Sequence, residues 1–368
     1  DYTVRATTPS GHVSTIDSNP QNDNDNPDVA ADNNDNGVGV GLGTKDQVDS
    51  AELTMDGGEQ IAPALDYDHP TGTTTDTSVD FGFTYAYALG NRVWYDTDNS
   101  SAIDNGEGDD SGTPVGVDGV RVELYAADVA GMPTGSALAT ITTANGGYYL
   151  FDYLTADEYV VVIPASNFNT GAVLAGYWSS ATAMATDGSL TEGAPPLSPA
   201  PDPDDPGADT IPGTADDDID SDDNGTRQTS GGFNSAVISQ AVTLGNTVAS
   251  EPTGETDLDG GTVIGDQPDS RSNMKLDFGF YKTEIGNLVF VDADKSGHFN
   301  TGDSRLSGVT MRLYSADGTE IQVGPDDTFG TSDDSAGDVL TDVQTDINGN
   351  YQFHGLPAGD YIVKATTP

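Results

Sequence analysis

Three strand-like runs occur twice in this chain, in the same order. GNRVWYDTDNSSAIDNGE from Gly90 answers GNLVFVDADKSGHFNTGD from Gly286, 196 residues on; GVRVELYAAD from Gly119 answers GVTMRLYSAD from Gly308, 189 on; TTANGGYYLFDYLTADEYVVV from Thr142 answers QTDINGNYQFHGLPAGDYIVK from Gln344, 202 on. The spacing changes only between runs, so length variation is confined to loops while each run keeps its register. Within the runs apolar and polar residues alternate, the period of a half-buried strand. Val93 with Tyr95, Val120 with Val122 and Leu124, Tyr149 with Phe151, and Tyr159 with Val161 are the expected inward sets of the first unit. Val289 with Val291, Val309 with Met311 and Leu313, Tyr351 with Phe353, and Tyr361 with Val363 answer them in the second. Asn145 to Gly147 and Asn348 to Asn350 suit tight hairpins. Short alternating strands at this spacing predict an all-β chain of tandem sandwiches.

A shorter repeat closes each unit. MKLDFGFYKT, around Asp277, resembles TSVDFGFTYA, around Asp80, and each is followed within ten residues by the next Gly-Asn strand. A complete unit therefore spans 88–285, with 165–270 as a long Asp/Gly/Pro-rich insertion, and a second unit starts at 286. DYIVKATTP from Asp360 nearly repeats DYTVRATTP from Asp1, 359 residues apart. Residues 1–87 thus read as the C-terminal half of a unit, and 286–368 as the N-terminal half of the next. This self-overlap points to subunits or tandem repeats arranged head to tail.

The 368 residues carry 61 acidic against 12 basic side chains, a formal net charge of -49, which excludes nucleic acid or an anionic membrane held by a basic face. Of the acids 51 are Asp, a poor helix former favoured in turns and metal loops, so the charge belongs to loops rather than helices. A salt-adapted acidic coat would instead spread carboxylates over every surface. No cysteine is present, so metal or packing must stiffen the domains. No run approaches the 18 apolar residues of a membrane span. The opening DYTVRATTP reads as neither a signal peptide nor a domain start.

The loop after each Gly-Asn strand carries the strongest chemical signal. Asp96, Asp98, Ser100, Asp104 and Glu107 fall at positions 1, 3, 5, 9 and 12 of a twelve-residue window, with the Ala102 carbonyl at 7. Asp292, Asp294, Ser296, Asn300 and Asp303 repeat the pattern, with the His298 carbonyl at 7 and Gly297 at the turning position 6, where the first loop has Ser101. Alternate side chains in such a loop converge on one calcium ion, and position 12 adds a carboxylate. Two weaker acidic motifs also recur. PDDTFGTSDD from Pro325 pairs Asp327, Asp333 and Asp334 with Asp209, Asp216 and Asp217 of ADTIPGTADDD. DIDSDDNG from Asp218 pairs Asp220 and Asp223 with Asp32 and Asp35 of AADNNDNG. Calcium is the cofactor expected at all three, against the alternative of solvated acidic turns, and millimolar calcium places the protein outside the cell.

The motifs G-N-x-V-[WF]-x-D-x-D, G-V-x-[VM]-x-L-Y, Y-x-F-x-x-L-x-[AP]-x-[ED]-Y-x-V and D-F-G-F, in this order, resemble the B repeats of the serine-aspartate-repeat surface adhesins of bacteria. More loosely they are similar to collagen-adhesin B-type modules. The resemblance covers about half of the chain; 10–75 and 165–270 match poorly. It implies immunoglobulin-like or transthyretin-like sandwiches, stiffened by calcium and used as a rod on the bacterial cell surface, with Asp96, Asp98, Asp104 and Glu107 and their partners as ligands. Some collagen-adhesin-type modules carry a Lys-Asn isopeptide bond; none of Lys45, Lys275, Lys282, Lys295 and Lys364 lies in a unit's first strand, so none is expected here.

The leading expectation is a structural stalk or extracellular filament, self-associating or tandem. The alternative is an adhesive module with the insertions as binding loops, in which Tyr177 and Trp178 form an aromatic ligand site or, by the plainer reading, anchor the insertion to the core. No enzyme is expected, since His12, His69, His298 and His354 lack metal or triad spacing. Two glycan sequons, at Asn99 and Asn224, fall inside the acidic loops.

Overall fold

The computed structural model describes residues 2–15, 47–50, 79, 81–101, 116–180, 182–192, 223–247, 250, 252, 267–334 and 343–366. Alternation along the first repeat unit gives two facing sheets. One runs in the order Thr226–Arg227, Val237–Ile238, Glu158–Ile163, Arg121–Ala127, Pro133–Thr142, with Val242–Thr243 also on Glu158–Ile163. The other runs Trp178–Ser179, Phe278–Tyr281, Tyr87–Tyr95, Ser272–Asn273, with Tyr148–Leu154 along the free side of Tyr87–Tyr95. Between them lies one apolar core: Leu89, Val93, Tyr149, Phe151, Phe278 and Phe280 from one sheet meet Val122, Leu124, Tyr159, Val161 and Val237 from the other. The expected inward residues are all in this core except Tyr95, which is half-buried and stacks on Tyr177 at 4.7 Å.

The stretch expected as an insertion is part of the sandwich where it is described. Val160 and Val162 point to the outer face of their sheet, yet they are buried in a small second cluster with Ile238, opposite Val162 on the neighbouring strand, and Ala236, with Phe233 and Tyr125 alongside. This explains why the run Tyr159 to Ile163 is apolar at every position: both faces are buried. Alternation marks a strand with one wet face, so a strand covered twice loses it.

Both hairpins form. Ala144 and Tyr148 exchange backbone bonds of 3.0 Å across a turn in which Asn145 and Gly146 have φ of 58° and 97°. Asp118 Oδ1 accepts the Gly146 and Gly147 amides at 2.8 Å and pins that turn. In the second unit Asp346 Oδ1 accepts from Asn348 and Asn350, each at 2.8 Å.

The second unit pairs Thr283–Leu288 with Asn350–Leu356, and assembles Glu320–Ile321, Thr310–Ser315, Val343–Gln344 and Tyr361–Ala365 into a further sheet. Its core holds Val309, Met311, Leu313, Val343, Phe353 and Leu356. Val289, Tyr351, Tyr361 and Val363 only border that core, whereas Val93, Tyr149, Tyr159 and Val161 are fully buried at the matching places. Val291, expected inward, is 46% exposed. Its counterpart Tyr95 is sheltered by Tyr177.

The units join without a linker. Phe278–Tyr281 passes through Lys282 alone into Thr283–Leu288, as Phe83–Tyr85 passes through Ala86 into Tyr87–Tyr95. Trp178 seals the first of these joints: it is 1% exposed, stacks on Phe329 at 5.5 Å, and donates from Nε1 to the Gly355 carbonyl at 2.7 Å. Met184 enters the second unit's core, and its amide donates to the Ala358 carbonyl at 2.8 Å. Of the two readings for Trp178, the geometry is that of a core anchor. Among the described residues no helix is long and apolar enough to cross a membrane.

Candidate metal centre

The second acidic loop is described from end to end. Phe290–Val291 and Ser304–Arg305 pair antiparallel, Val291 opposite Ser304, and this short ladder clamps the ends of the twelve-residue segment between them. Phe299 packs edge-on against Phe290 at 5.4 Å and lies under the Arg305 guanidinium, fixing the far side of the loop. Lys295 and Gly297 take positive φ of 59° and 77°, turning the chain so that alternate side chains face inward.

The consequence is convergence. Carboxylate oxygens of Asp292, Asp294 and Asp303 lie within 4.8 Å of one another. Each also anchors the turn: Asp292 accepts from the Ser296 and Gly297 amides at 3.0 and 2.8 Å, Asp294 from Ser296 at 3.0 Å, and Asp303 from Ala293 and Asn300, both at 2.9 Å. Asn300 places its amide among the remaining ligand positions, Nδ2 lying 3.2 Å from Asp294 Oδ2, 2.8 Å from Ser296 Oγ and 3.3 Å from the His298 carbonyl. Turning that amide over would present Oδ1 to the same centre, since its two ends differ only by assignment. Hydrogen bonds from Ser296 and then Asn300 hold the Asp294 carboxyl below its ordinary pKa.

These donors fit a hard divalent cation. All are oxygens, their number suits the six to eight ligands of calcium, and the loop is open enough for irregular coordination. Two carboxylates ~4 Å apart repel by about 1 kcal/mol in water and about 4 kcal/mol at an effective dielectric of 20. Three of them gathered this closely form an arrangement that a cation relieves. Asp292, Asp294, Ser296, the His298 carbonyl, Asn300 and Asp303 are the residues that would hold it.

The first loop is described through Ser101; Ala102, Asp104 and Glu107 lie outside the described residues. Asn99 and Ser101 have φ of 60° and 64°, the same left-handed turns as Lys295 and Gly297. Asp96 is buried, whereas Asp292 is half-buried. Its carboxylate accepts from the Ser100 and Ser101 amides at 3.0 Å and from Ser180 Oγ at 2.7 Å, and Asp98 accepts from Ser100 at 3.1 Å. Asp223, from a different motif, sits beside this loop: its amide donates to the Ser101 carbonyl at 3.0 Å. Its Oδ1 accepts from Gly225 and Gly279 at 3.0 and 3.1 Å, and complete burial, helped by Asp96 and Glu192, raises its pKa well above normal. Ser180 and Glu192 were not recognised from the sequence; the signal was GHVST at Gly11 recurring as GYWSS at Gly176, which places a serine strand next to each closing strand.

The weaker motifs behave differently. Asp334 caps a turn, accepting from Gly324 at 2.7 Å, Gly330 at 2.6 Å and Thr331 at 3.2 Å. Asp327 is half-buried beside His354, and burial raises its pKa. The Asp333 side chain, and Asp209, Asp216, Asp217, Asp220, Asp32 and Asp35, lie outside the described residues. Among those described, only Asp292, Asp294 and Asp303 form a three-carboxylate cluster. Asn224 is fully buried and accepts the Asp277 amide at 2.7 Å, so its sequon is closed to a glycan in the folded chain.

Residues 87–191 match the SdrD B-like domain family. Serine-aspartate repeat-containing protein D of Staphylococcus aureus is 35% identical over 125 residues, covering 33% of this chain and 8% of the relative. Colossin-A of Dictyostelium discoideum is 26% identical over 292 residues, 77% of this chain and 2% of the relative. The chain thus spans less than a tenth of the length of these relatives. Among solved structures, the shaft pilin SpaA of Lactobacillus rhamnosus GG is 12% identical with a TM-score of 0.28, covering 77% of this chain and 87% of the pilin. The minor pilin GBS52 of Streptococcus agalactiae is 14% identical with a TM-score of 0.24, covering 76% and 83%. The fold is given by the chain's own strand pairing. In sequence, residues 87–191 of the first sandwich are similar to the SdrD B-like domain.

Proposed function

We propose that this chain is a structural protein of the bacterial cell surface, a run of β-sandwiches forming an extracellular stalk or filament whose acidic loops bind calcium. The observation that carries the calcium reading is the convergence of Asp292, Asp294 and Asp303 in a loop whose spacing the first sandwich repeats. The linker-free joints support the rod: Trp178 and Met184 tie one sandwich to the next with apolar surface rather than a flexible tether. Trp178 is taken up by that joint, which removes the aromatic ligand site from the adhesin alternative. Calcium adds folded stability by mass action, about 1.4 kcal/mol per site at a concentration tenfold above its dissociation constant. Head-to-tail continuation, in one polypeptide or between copies, extends the rod.

Isothermal titration of calcium into the chelator-treated protein tests the site. The wild type should bind in the range of about 0.1–1 mM that suits extracellular modules. The double variant Asp292→Asn, Asp294→Asn should lose that binding event while keeping its strand content by circular dichroism. Equal calcium binding by both proteins rules out the second loop as the site.

A further inference from the structure

Tyr95 and Tyr177 border the first core and stack on each other, with ring centroids 4.7 Å apart and planes 25° from parallel. Their hydroxyls also interact with each other, so the two phenols lie with the same end forward. In that arrangement the ring carbons ortho to one hydroxyl lie against those ortho to the other. Of the ring contacts among the described residues, this one alone joins two tyrosines.

Both rings are held in place. Tyr95 ends the strand Tyr87–Tyr95, and the Tyr177 amide donates to the Leu174 carbonyl at 3.0 Å. The Lys282 ammonium lies 4.7 Å from the Tyr177 ring centroid, a cation–π contact that steadies the ring. Both tyrosines are half-buried, so their edges stay open to small solutes. Tyr2 and Tyr85 are more exposed, at 64% and 50%, but among the described residues neither stacks on a second tyrosine. Two phenols already held in contact react as parts of one molecule, without the entropic cost of finding each other.

We propose that this pair is an oxidative cross-linking site, at which hydrogen peroxide, used by a haem peroxidase, joins Tyr95 to Tyr177 as dityrosine. Each phenol gives up one electron and its hydroxyl proton. The two phenoxyl radicals then form one carbon–carbon bond between ortho positions, and the hydrogens on those carbons move to the oxygens to restore both rings. The two electrons and two protons released reduce one hydrogen peroxide to two waters. The bond links positions 82 residues apart and constrains the unfolded chain as a disulfide would, in a sequence with no cysteine to form one. Tyr95 immediately precedes Asp96, the first position of the first acidic loop, and Tyr177 immediately precedes Trp178 of the joint. The cross-link therefore ties the base of that loop to the joint, and it forms whether or not the loop holds calcium.

Mass spectrometry of the 368-residue protein, treated in dilute solution with hydrogen peroxide and a haem peroxidase and then cut after Arg and Lys, tests it. Tyr95 is the one tyrosine of fragment 93–121, and Tyr177 lies in fragment 122–227. The wild type should yield these two fragments joined, two hydrogens lighter than their sum, with dityrosine fluorescence. Tyr177→Phe should lose the joined species although Tyr125, Tyr148, Tyr149, Tyr153 and Tyr159 remain in the same fragment, and Tyr95→Phe should lose it too. Phenylalanine keeps a stacked ring, so both variants should match the wild type by circular dichroism. Wild type treated in denaturant, where the stack is gone, should also lose the joined species. Fragments that stay separate in the folded wild type overturn the inference, as does a joined species that survives Tyr177→Phe or forms equally in denaturant.

Discussion

Replacing Trp178 by alanine should uncouple the two sandwiches. The indole is 1% exposed and bridges them, with Tyr281 opposite it on the first and Phe329 and Gly355 against it on the second. Deleting a buried tryptophan side chain costs about 3–5 kcal/mol. The lost Nε1–H bond leaves the buried Gly355 carbonyl without that donor, adding about 1 kcal/mol. At about 2–4 °C per kcal/mol for domains of this size, Trp178→Ala should lower the melting temperature by at least about 8 °C. Differential scanning calorimetry should show one cooperative transition for the wild type and two for the variant. Trp178→Phe keeps a stacked ring but loses the donor and part of the buried indole, so its cost should lie between the wild type and alanine, about 2–3 kcal/mol. A Trp178→Ala protein that melts as one transition within about 2 °C of the wild type would refute the joint as a source of coupling.

Three further outcomes are expected. Ser101→Gly relieves a left-handed φ of 64° and should stabilise the first sandwich by up to about 1 kcal/mol in urea unfolding; a loss of stability would contradict the shared loop geometry. Gly355→Ala, at φ 65° with the new Cβ 2.8 Å from Gly176 Cα and from the Phe329 carbonyl, should cost at least about 2 kcal/mol, and a neutral effect in the same assay would count against so close an approach at the joint. Glu192 is pushed up to about 7 by burial, partly offset by Thr182 and Arg227, from an ordinary 4.5. The folded chain therefore holds a proton that the unfolded chain releases, and this group makes stability fall as pH rises between about 4.5 and 7. Glu192→Gln should flatten that slope in melting curves recorded at pH 5 and 8; an unaltered slope would show that another group sets it.

The fold was legible where a strand has one dry face. Val122, Leu124, Tyr149 and Phe151 alternate with polar neighbours and all lie in the core. It was not legible where burial depends on a distant segment: Val160 and Val162 are buried in a cluster with Ala236 and Ile238, more than 70 residues on, and Val291 lacks the cover that Tyr177 gives Tyr95. The second acidic loop was readable because its ligand spacing is local, so Asp292, Asp294 and Asp303 converge within a single loop. The neighbours of Asp96 were not, since Ser180 and Asp223 reach it from strands 84 and more residues away. Asp334 shows the limit of counting carboxylates: its spacing suggested a metal, and its oxygens are engaged by three backbone amides.

Small-angle X-ray scattering of the 368-residue chain, in calcium and in chelator, tests the calcium-stiffened rod. An elongated particle is predicted in calcium, with a radius of gyration well above the about 21 Å of a compact globule of this length. In chelator the distance distribution should broaden as the acidic loops loosen. A radius near that compact value, or profiles that coincide with and without calcium, would rule out a calcium-stiffened rod.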